Sequence, residues 1–478
     1  MKFTHLVTAL LLVLSCASLR ADITIGRFDL AQIRDVSNLE TRVVEDWHPM
    51  VKDPTLRQKV IEITVVEWWA GLKVRLPVSF VAPAEGICTN VLIENTGLAL
   101  KPVTPTGAKL RLVKEHGVGL VFIGMVPITD MEPVGQLHKM MEDHFLKTKD
   151  TRYTPAWIWG ISDMRALTAA VAEKDVFQPQ KVLATGGSKR GVATATAGIW
   201  DDRFTAIMPV VAPIIESPGS PYVEGTLSAE IVKMNEDYLA GMSEAGRAAM
   251  MVRQKARSDE RITLAEAQAN GWSAAEIKTA CNAAWEVCRT TNYLDVAKQR
   301  GLEVFYNEGS NDNVGPGLIA LGERYPDLNI YVMPGGQHGG AKEAGFNKAT
   351  ASQPEVDENL WAFALHHFFG TRSLPATPKV TAQWDKATHE VRVTAVFPDG
   401  TEPQVNTLWW SVNRNPDYSM AMEFDPWSSV PLARTGKATY MGTSKVEGEV
   451  RTVDVITVHA HQEAGSTLTI SSPELRLK

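Results

Sequence analysis

Apolar and polar positions divide the chain into stretches of different character. An apolar run from Leu6 to Leu14 follows Lys2 and His5, and small residues follow in Ser15-Cys16-Ala17-Ser18. This basic, apolar, small-residue order is that of an export signal, too short to serve as a stable membrane anchor. Residues 1–21 are therefore assigned to a signal peptide, cleaved after Ala17 or Ala21. Residues 22–60 are polar and mixed and predict only short helices. Strand patterns then begin: Val60–Trp68 is rich in β-formers, and Leu72–Val81 alternates. Gly117–Val126 is a nearly continuous apolar run, the pattern of a strand buried on both faces of a parallel sheet.

Helical periodicity predicts helices over 135–147 and 161–174. A short buried strand over Lys181–Thr185, a helix over Gly191–Trp200 and a strand over Thr205–Val211 follow. Residues 215–300 are rich in Ala, Glu, Lys and Met and read as a helical insertion, with a capping-box pattern in Ser273-Ala-Ala-Glu276. Strands return at Leu302–Tyr306 and Asn329–Met333, and a last helix covers about 354–369. Strands alternating with helices predict an α/β unit with a parallel sheet over residues 22–374. Beyond the linker Leu374-Pro-Ala-Thr-Pro378 the pattern changes to alternating segments, Glu390–Phe397, Thr407–Val412 and Val453–His459. Residues 375–478 thus read as a small antiparallel β-sandwich.

Composition narrows the classes. At 478 residues, with 44% hydrophobic and 22% charged residues, the chain is long and apolar enough to bury a large core. The net charge is −7, and loss of residues 1–21 removes Lys2 and Arg20 and no acid, giving −9. Such a chain lacks the basic face that nucleic acid or anionic membranes require. No later apolar run is long enough to cross a bilayer. Val13-Leu14-Ser15-Cys16 resembles a lipobox with a poorly fitting Leu, so a lipid anchor at Cys16 is a second reading of the leader. Cys88, Cys281 and Cys288 form no disulfide framework, and no CxxC pair is present.

The chemistry concentrates in Lys181-Val-Leu-Ala-Thr-Gly-Gly-Ser-Lys-Arg-Gly191, where a short strand runs through small residues into a helix. A serine nucleophile needs such a turn, which lifts Ser188 Oγ clear of the sheet beside the next helix's N-terminus. The usual G-x-S-x-G spacing is altered, because Arg190 occupies the second glycine's place and Gly191 comes one residue late. Asp312 follows the strand Leu302–Tyr306, and His338 follows Asn329–Met333 in the glycine-rich loop Pro334-Gly-Gly-Gln-His338-Gly-Gly. The order Ser188, Asp312, His338 is that of an α/β-hydrolase triad. The expected roles are nucleophile, orienting acid and general base. Glu216, after the strand Thr205–Val211, is the runner-up acid. The Lys189 backbone N–H is the expected oxyanion donor, joined by one from the loop near Met125–Thr129.

On these motifs the sequence resembles the PhoPQ-activated pathogenicity-related protein family, whose elbow reads roughly G-A-S-K-R-G, against Gly186-Gly-Ser-Lys-Arg-Gly191 here. Its acid loop, roughly G-T-N-D, is similar to Gly309-Ser-Asn-Asp312, and its histidine loop to Pro334-Gly-Gly-Gln-His338. Glu142-Asp143, Asn292-Tyr293-Leu-Asp295 and Leu408-Trp409 add to the likeness, while Gly187 and Val192 depart from it. The resemblance implies a secreted α/β-hydrolase. The basic residues after Ser188 also resemble the elbow of glucuronoyl esterases, which implies that Lys189 or Arg190 assists an oxyanion.

The expected protein is an exported serine hydrolase acting on an ester or amide, small, carbohydrate or peptide, without cofactor or metal. The alternative is a silent binding or signalling protein on the same scaffold. His459 and His461 share a strand face without an evident third ligand, and read as a solvated face. His366 and His367 sit in a helix and point in different directions. Trp68-Trp69 and Trp409-Trp410 read as packing. No P-loop, dinucleotide fingerprint or HExxH is present.

Overall fold

The computed structural model describes residues 28–96, 99–125, 128–129, 134–150, 152–153, 155–212, 228–248, 250–251, 262–276, 290–313, 317–338 and 349–478. The segment 1–21 expected to be a signal peptide, Cys16, Glu216, Cys281, Cys288 and much of the stretch 215–300 lie outside the described residues. Eleven strands form one mixed sheet: β1 Arg42–Met50, β2 Asp53–Trp69, β3 Leu72–Pro83, β4 Cys88–Thr96, β5 Gly119–Gly124, β6 Ile128–Thr129, β7 Phe177–Gly187, β8 Ala206–Val210, β9 Glu303–Val304, β10 Tyr306–Gly309 and β11 Ile330–Met333. Their order is β1-β2-β3-β5-β4-β7-β8-β10-β11, with β6 on β3 and β9 on β8. The pairs β1/β2, β2/β3 and β3/β5 are antiparallel, and from β5 through β11 all pairs are parallel. This is the sheet of an α/β-hydrolase with one extra N-terminal strand.

Burial explains the sequence pattern. Every residue of β5 is buried, because both faces of the parallel part are covered. Helices Pro155–Ala172 and Lys189–Trp200 close one face, around Ile93, Ile123, Met164, Ala184 and Ile207. Helices Gly107–His116 and Pro354–Ala364 close the other, around Leu92, Leu120, Phe122, Leu183 and Phe305. Within 42–60 the structure departs from the expected short helices: β1 and the start of β2 lie there. β1 is an edge strand, and its largely exposed residues supply no apolar alternation. β4 and the helix Gly107–His116 are also additions to the sequence reading. The helix expected over 354–369 ends at Ala364 and continues as one wide π turn, Leu365–Phe369.

Helices Ala229–Ala240, Leu264–Ala269 and Leu294–Gln299 lie between β8 and β9. The expected capping box forms, with Glu276 N donating to Ser273 Oγ (3.2 Å) and Ser273 N to Glu276 Oε2 (2.8 Å).

After Pro378 two antiparallel sheets face each other. One contains β12 Lys379–Asp385, β13 Glu390–Val396, β16 Ala433–Gly436 and β17 Thr439–Lys445. The other contains β14 Val405–Val412, β15 Ser428–Pro431, β18 Val453–Glu463, β19 Ser466–Ser471 and β20 Leu475–Leu477. Val391, Val393, Leu408, Tyr440, Val455 and Ile470 fill the space between them. This sandwich meets the hydrolase sheet along β11. Val332 N donates to Ser471 Oγ (2.8 Å), and the Asn359 side chain bonds both backbone groups of Thr469 (2.7 and 3.0 Å). The outer edge of β11 is thereby covered rather than left open.

Candidate active site

β7 ends at Gly187, and the helix Lys189–Trp200 starts one residue later. Ser188, between them, has φ 60° and ψ −130°, a region that a side chain occupies only at a cost of order 1–3 kcal/mol. Its N–H donates to Val210 O at 2.9 Å, which ties the strained turn to β8. The glycine pattern follows from close packing. A Cβ at Gly186 would lie 2.8 Å from Arg190 O, and one at Gly191 would lie 2.7 Å from the Ala212 Cβ and 2.9 Å from Gly186 O. The late glycine is thus the one that lets the helix approach the end of β8. At that end Val211 is itself held at φ 41°.

The three residues expected to act together meet. Ser188 Oγ and His338 Nε2 are 2.8 Å apart, and His338 Nδ1 and Asp312 Oδ2 are 2.8 Å apart. The Asp312 side chain is fully buried and that of His338 is 15% exposed, so the pair is largely shielded from solvent. The two loops carrying them are laced together: Ser310 N donates to Met333 O, Asn311 N to Gly336 O and Gly335 N to Ser310 Oγ, at 2.8–3.0 Å.

Glu308 is a site residue that the sequence reading missed, because β10 extends to Gly309 and places it on the strand. Its Oε1 accepts from Ala212 N at 3.3 Å, and Oε2 is buried with no partner among the described residues. Burial first, and then the negative charge of Asp312, hold this carboxyl well above the usual carboxylate range. Its surroundings therefore favour the protonated, neutral form of Glu308.

Lys189 is the first helical residue, so its N–H has no intrahelical acceptor and stands beside Ser188. Its side chain is exposed; that of Arg190 is partly buried, with Nε lacking a hydrogen-bond partner among the described residues. In the loop expected to give the second oxyanion donor, Val126 and Pro127 lie outside the described residues. A cavity of about 640 Å³ opens between Asp29–Glu40, the end of β2 and Arg165, and no triad residue lines it.

The other histidines are placed differently from expectation. His459 is buried inside the sandwich rather than on a solvated face, with Nδ1 2.6 Å from Asn406 Oδ1 and its ring against Phe397. His366 and His367 both approach Glu303 Oε2, at 3.5 and 2.9 Å, rather than diverging as expected. Among the described residues no group of three His, Cys, Asp or Glu is arranged to hold a metal, and no helix is long and apolar enough to cross a membrane. Trp68 is buried, and its Nε1 donates to Arg152 O (2.8 Å).

Residues 144–219, which contain the elbow, match the family model of PhoPQ-activated pathogenicity-related protein. No curated protein matches the sequence. Among solved structures the chain is similar to an acetyl xylan esterase from Paenibacillus sp. R4, at 13% identity and TM-score 0.40, over 68% of this chain and 92% of that one. It is also similar to an S-formylglutathione hydrolase from Agrobacterium tumefaciens, at 12% identity and TM-score 0.37, over 68% and 99%. A glucuronoyl esterase from Teredinibacter turnerae T7901 aligns at 16% identity and TM-score 0.29, over 37% and 46%. The assignment to the α/β-hydrolase fold stands on this chain's own strand order and crossings.

Proposed function

We propose that this protein is an exported serine hydrolase that cleaves an ester, or less readily an amide, through an acyl-enzyme. Residues 22–374 form the hydrolase unit and 375–478 a second unit. The observation that carries the reading is the continuous 2.8 Å relay from Ser188 Oγ through His338 to buried Asp312, built on a strained elbow. His338 Nε2 takes the Ser188 proton as Oγ attacks the carbonyl carbon, and returns it to the leaving group when the tetrahedral intermediate collapses. Asp312 fixes the tautomer with Nδ1–H toward itself and stabilises the imidazolium. The Lys189 N–H, at the positive end of its helix, supports the oxyanion. A second donor belongs to the segment after β5, and Arg190 is a candidate cation nearby. Esters are the first substrates to test, because an alkoxide leaving group needs less help from His338 than an amine. Small acyl esters and carbohydrate esters head the list.

The test is labelling of the mature protein with a fluorophosphonate, beside Ser188→Ala and His338→Ala. Labelling in wild type alone, with hydrolysis of p-nitrophenyl acetate falling by about 10⁴-fold or more in each variant, is the expected result. A folded wild type that neither labels nor turns over would favour a silent binding protein on this scaffold.

A further inference from the structure

Residues 413–427, which join β14 to β15 in the C-terminal sandwich, reach back to both loops that carry the triad. Arg414 Nη2 donates to Ser310 O. Trp427 Nε1 donates to Asn311 Oδ1 at 2.9 Å, and Asn311 Nδ2 donates in turn to Asp425 O at 2.8 Å. On the other side Gln337 Nε2 donates to Glu423 O at 2.7 Å. Ser310 and Asn311 immediately precede Asp312, and Gln337 immediately precedes His338. One segment therefore grips each member of the Asp312–His338 pair just upstream of its functional side chain.

The grip is itself firmly held. The Arg414 side chain is 2% exposed, is ion-paired with Glu474, and has Asp425 and Asp454 each at 3.6 Å. Burial disfavours its charge, and Glu474, Asp454, Asp425 and Asp417 more than offset that. Its guanidinium lies over the Trp427 ring, 5.1 Å from the centroid. Asn415 N and Nδ2 both donate to the Asp425 carboxylate, at 3.0 and 2.6 Å. The two regions are also tied at places remote from this segment. The Asn359–Thr469 and Ser471–Val332 bonds, and Thr377 Oγ1 donating to Leu328 O at 2.7 Å, already fasten the sandwich elsewhere.

We infer that the C-terminal sandwich sets the triad's geometry, with Arg414 and Trp427 as positioning residues that fix where Asp312 and His338 stand relative to Ser188. The inference rests on the serine-hydrolase reading of that triad. It makes the sandwich part of the catalytic apparatus without contact with substrate.

Trp427→Phe keeps the ring and deletes the Nε1–H. Arg414→Lys keeps the charge and loses the forked geometry. Thr377→Val, which cuts a tie remote from the triad loops, is the structural control. For p-nitrophenyl acetate, Trp427→Phe is expected to lower kcat about 10- to 100-fold with KM within about twofold, as a displacement near 1 Å would. Arg414→Lys should do at least as much. Thr377→Val should lower Tm and leave kcat unchanged. An independent readout is the low-field proton resonance of His338 Nδ1–H, assigned by its loss in His338→Ala. It should be shifted or broadened in Trp427→Phe. A Trp427→Phe protein with wild-type kcat and an unmoved resonance would overturn the inference. So would one whose kcat falls no further than in Thr377→Val. If Arg414→Lys does not fold, Trp427→Phe decides. The resonance needs no turnover, so an inactive wild type would count against the hydrolase reading and still leave the positioning role measurable.

Discussion

The proposed nucleophile and the proposed acid–base pair are held in place by different means. Ser188 takes its position from its own neighbourhood: a φ of 60°, an N–H on Val210 O, and flanking glycines that the helix start requires. Asp312 and His338 sit on loops laced to each other and gripped from the far end of the chain, with Arg414 following Ser310 by 104 residues. A locally encoded turn is stiff by itself. A pair of loops at strand ends is stiff only if something outside them closes their freedom, and here the sandwich does so. The comparison predicts that damage on the acid–base side reaches catalysis through geometry, while the elbow either forms or does not.

The largest effect should come from breaking the lacing. A Cβ at Gly309 would run into Gly336 O and lie 2.5 Å from Thr350 Oγ1, so the acid and histidine loops must part to admit it. Gly309→Ala is expected to cost about 1–3 kcal/mol from overpacking alone. The Asp312–His338 distance should change with it and reduce kcat about 100-fold. Urea unfolding with p-nitrophenyl acetate kinetics on the same preparation checks both. A variant that loses stability and keeps kcat would mean that the loops do not depend on one another.

The contrast also explains what could be read from the sequence. The elbow was legible because all its requirements lie within Lys181–Gly191. Asp312 and His338 were legible because strands ending in small-residue loops mark the sheet's C-terminal edge. Glu308 was not, since a carboxylate two residues past an apolar strand looks like a loop residue until the strand is seen to continue. The grip of Arg414 and Trp427 has no local signature at all, because its acceptors are one backbone carbonyl and one side-chain amide far upstream in the chain. β4 escaped notice for a different reason. Its apolar centre, Val91-Leu-Ile93, is only three residues long and is flanked by polar Asn90 and Glu94, although it lies in the middle of the sheet.

A smaller effect should follow from acidifying the sandwich. Burial pushes the His459 imidazole down to about 3 from an ordinary 6.5. Between those values the unfolded chain binds a proton that the folded one refuses, so this group's contribution to stability is full above pH 6.5 and is lost as pH falls. The slope approaches 1.4 kcal/mol per pH unit at most. His459→Gln should flatten that dependence relative to wild type. If the sandwich positions the triad, the pH at which fluorophosphonate labelling of Ser188 is irreversibly lost should track the pH at which near-ultraviolet circular dichroism is lost. Both should shift together in the variant. Identical pH–stability curves for wild type and His459→Gln would rule out this residue as the acid-sensitive point.

The smallest effect is expected at Gly187, where the resembling family usually carries Ala. Unlike Gly186 and Gly191, this glycine has room: an added Cβ would meet the Ala351 Cβ at 3.6 Å and Val210 O at 3.9 Å, both ordinary contacts, and its φ is not in the left-handed region. Gly187→Ala therefore needs no movement of the elbow, and it removes backbone freedom from the unfolded chain. Such a change raises stability by about 0.4–1 kcal/mol where the native conformation admits it. Tm should rise slightly and kcat stay within about twofold, against a loss of folded protein for Gly186→Ala. A Gly187→Ala protein that is less stable, or that no longer reacts with a fluorophosphonate, would show that the turn before Ser188 is tighter than its contacts imply. The view of the elbow as a self-contained unit would then have to give way to one in which Ala351, on the segment following the histidine loop, presses on it as the sandwich presses on Asp312.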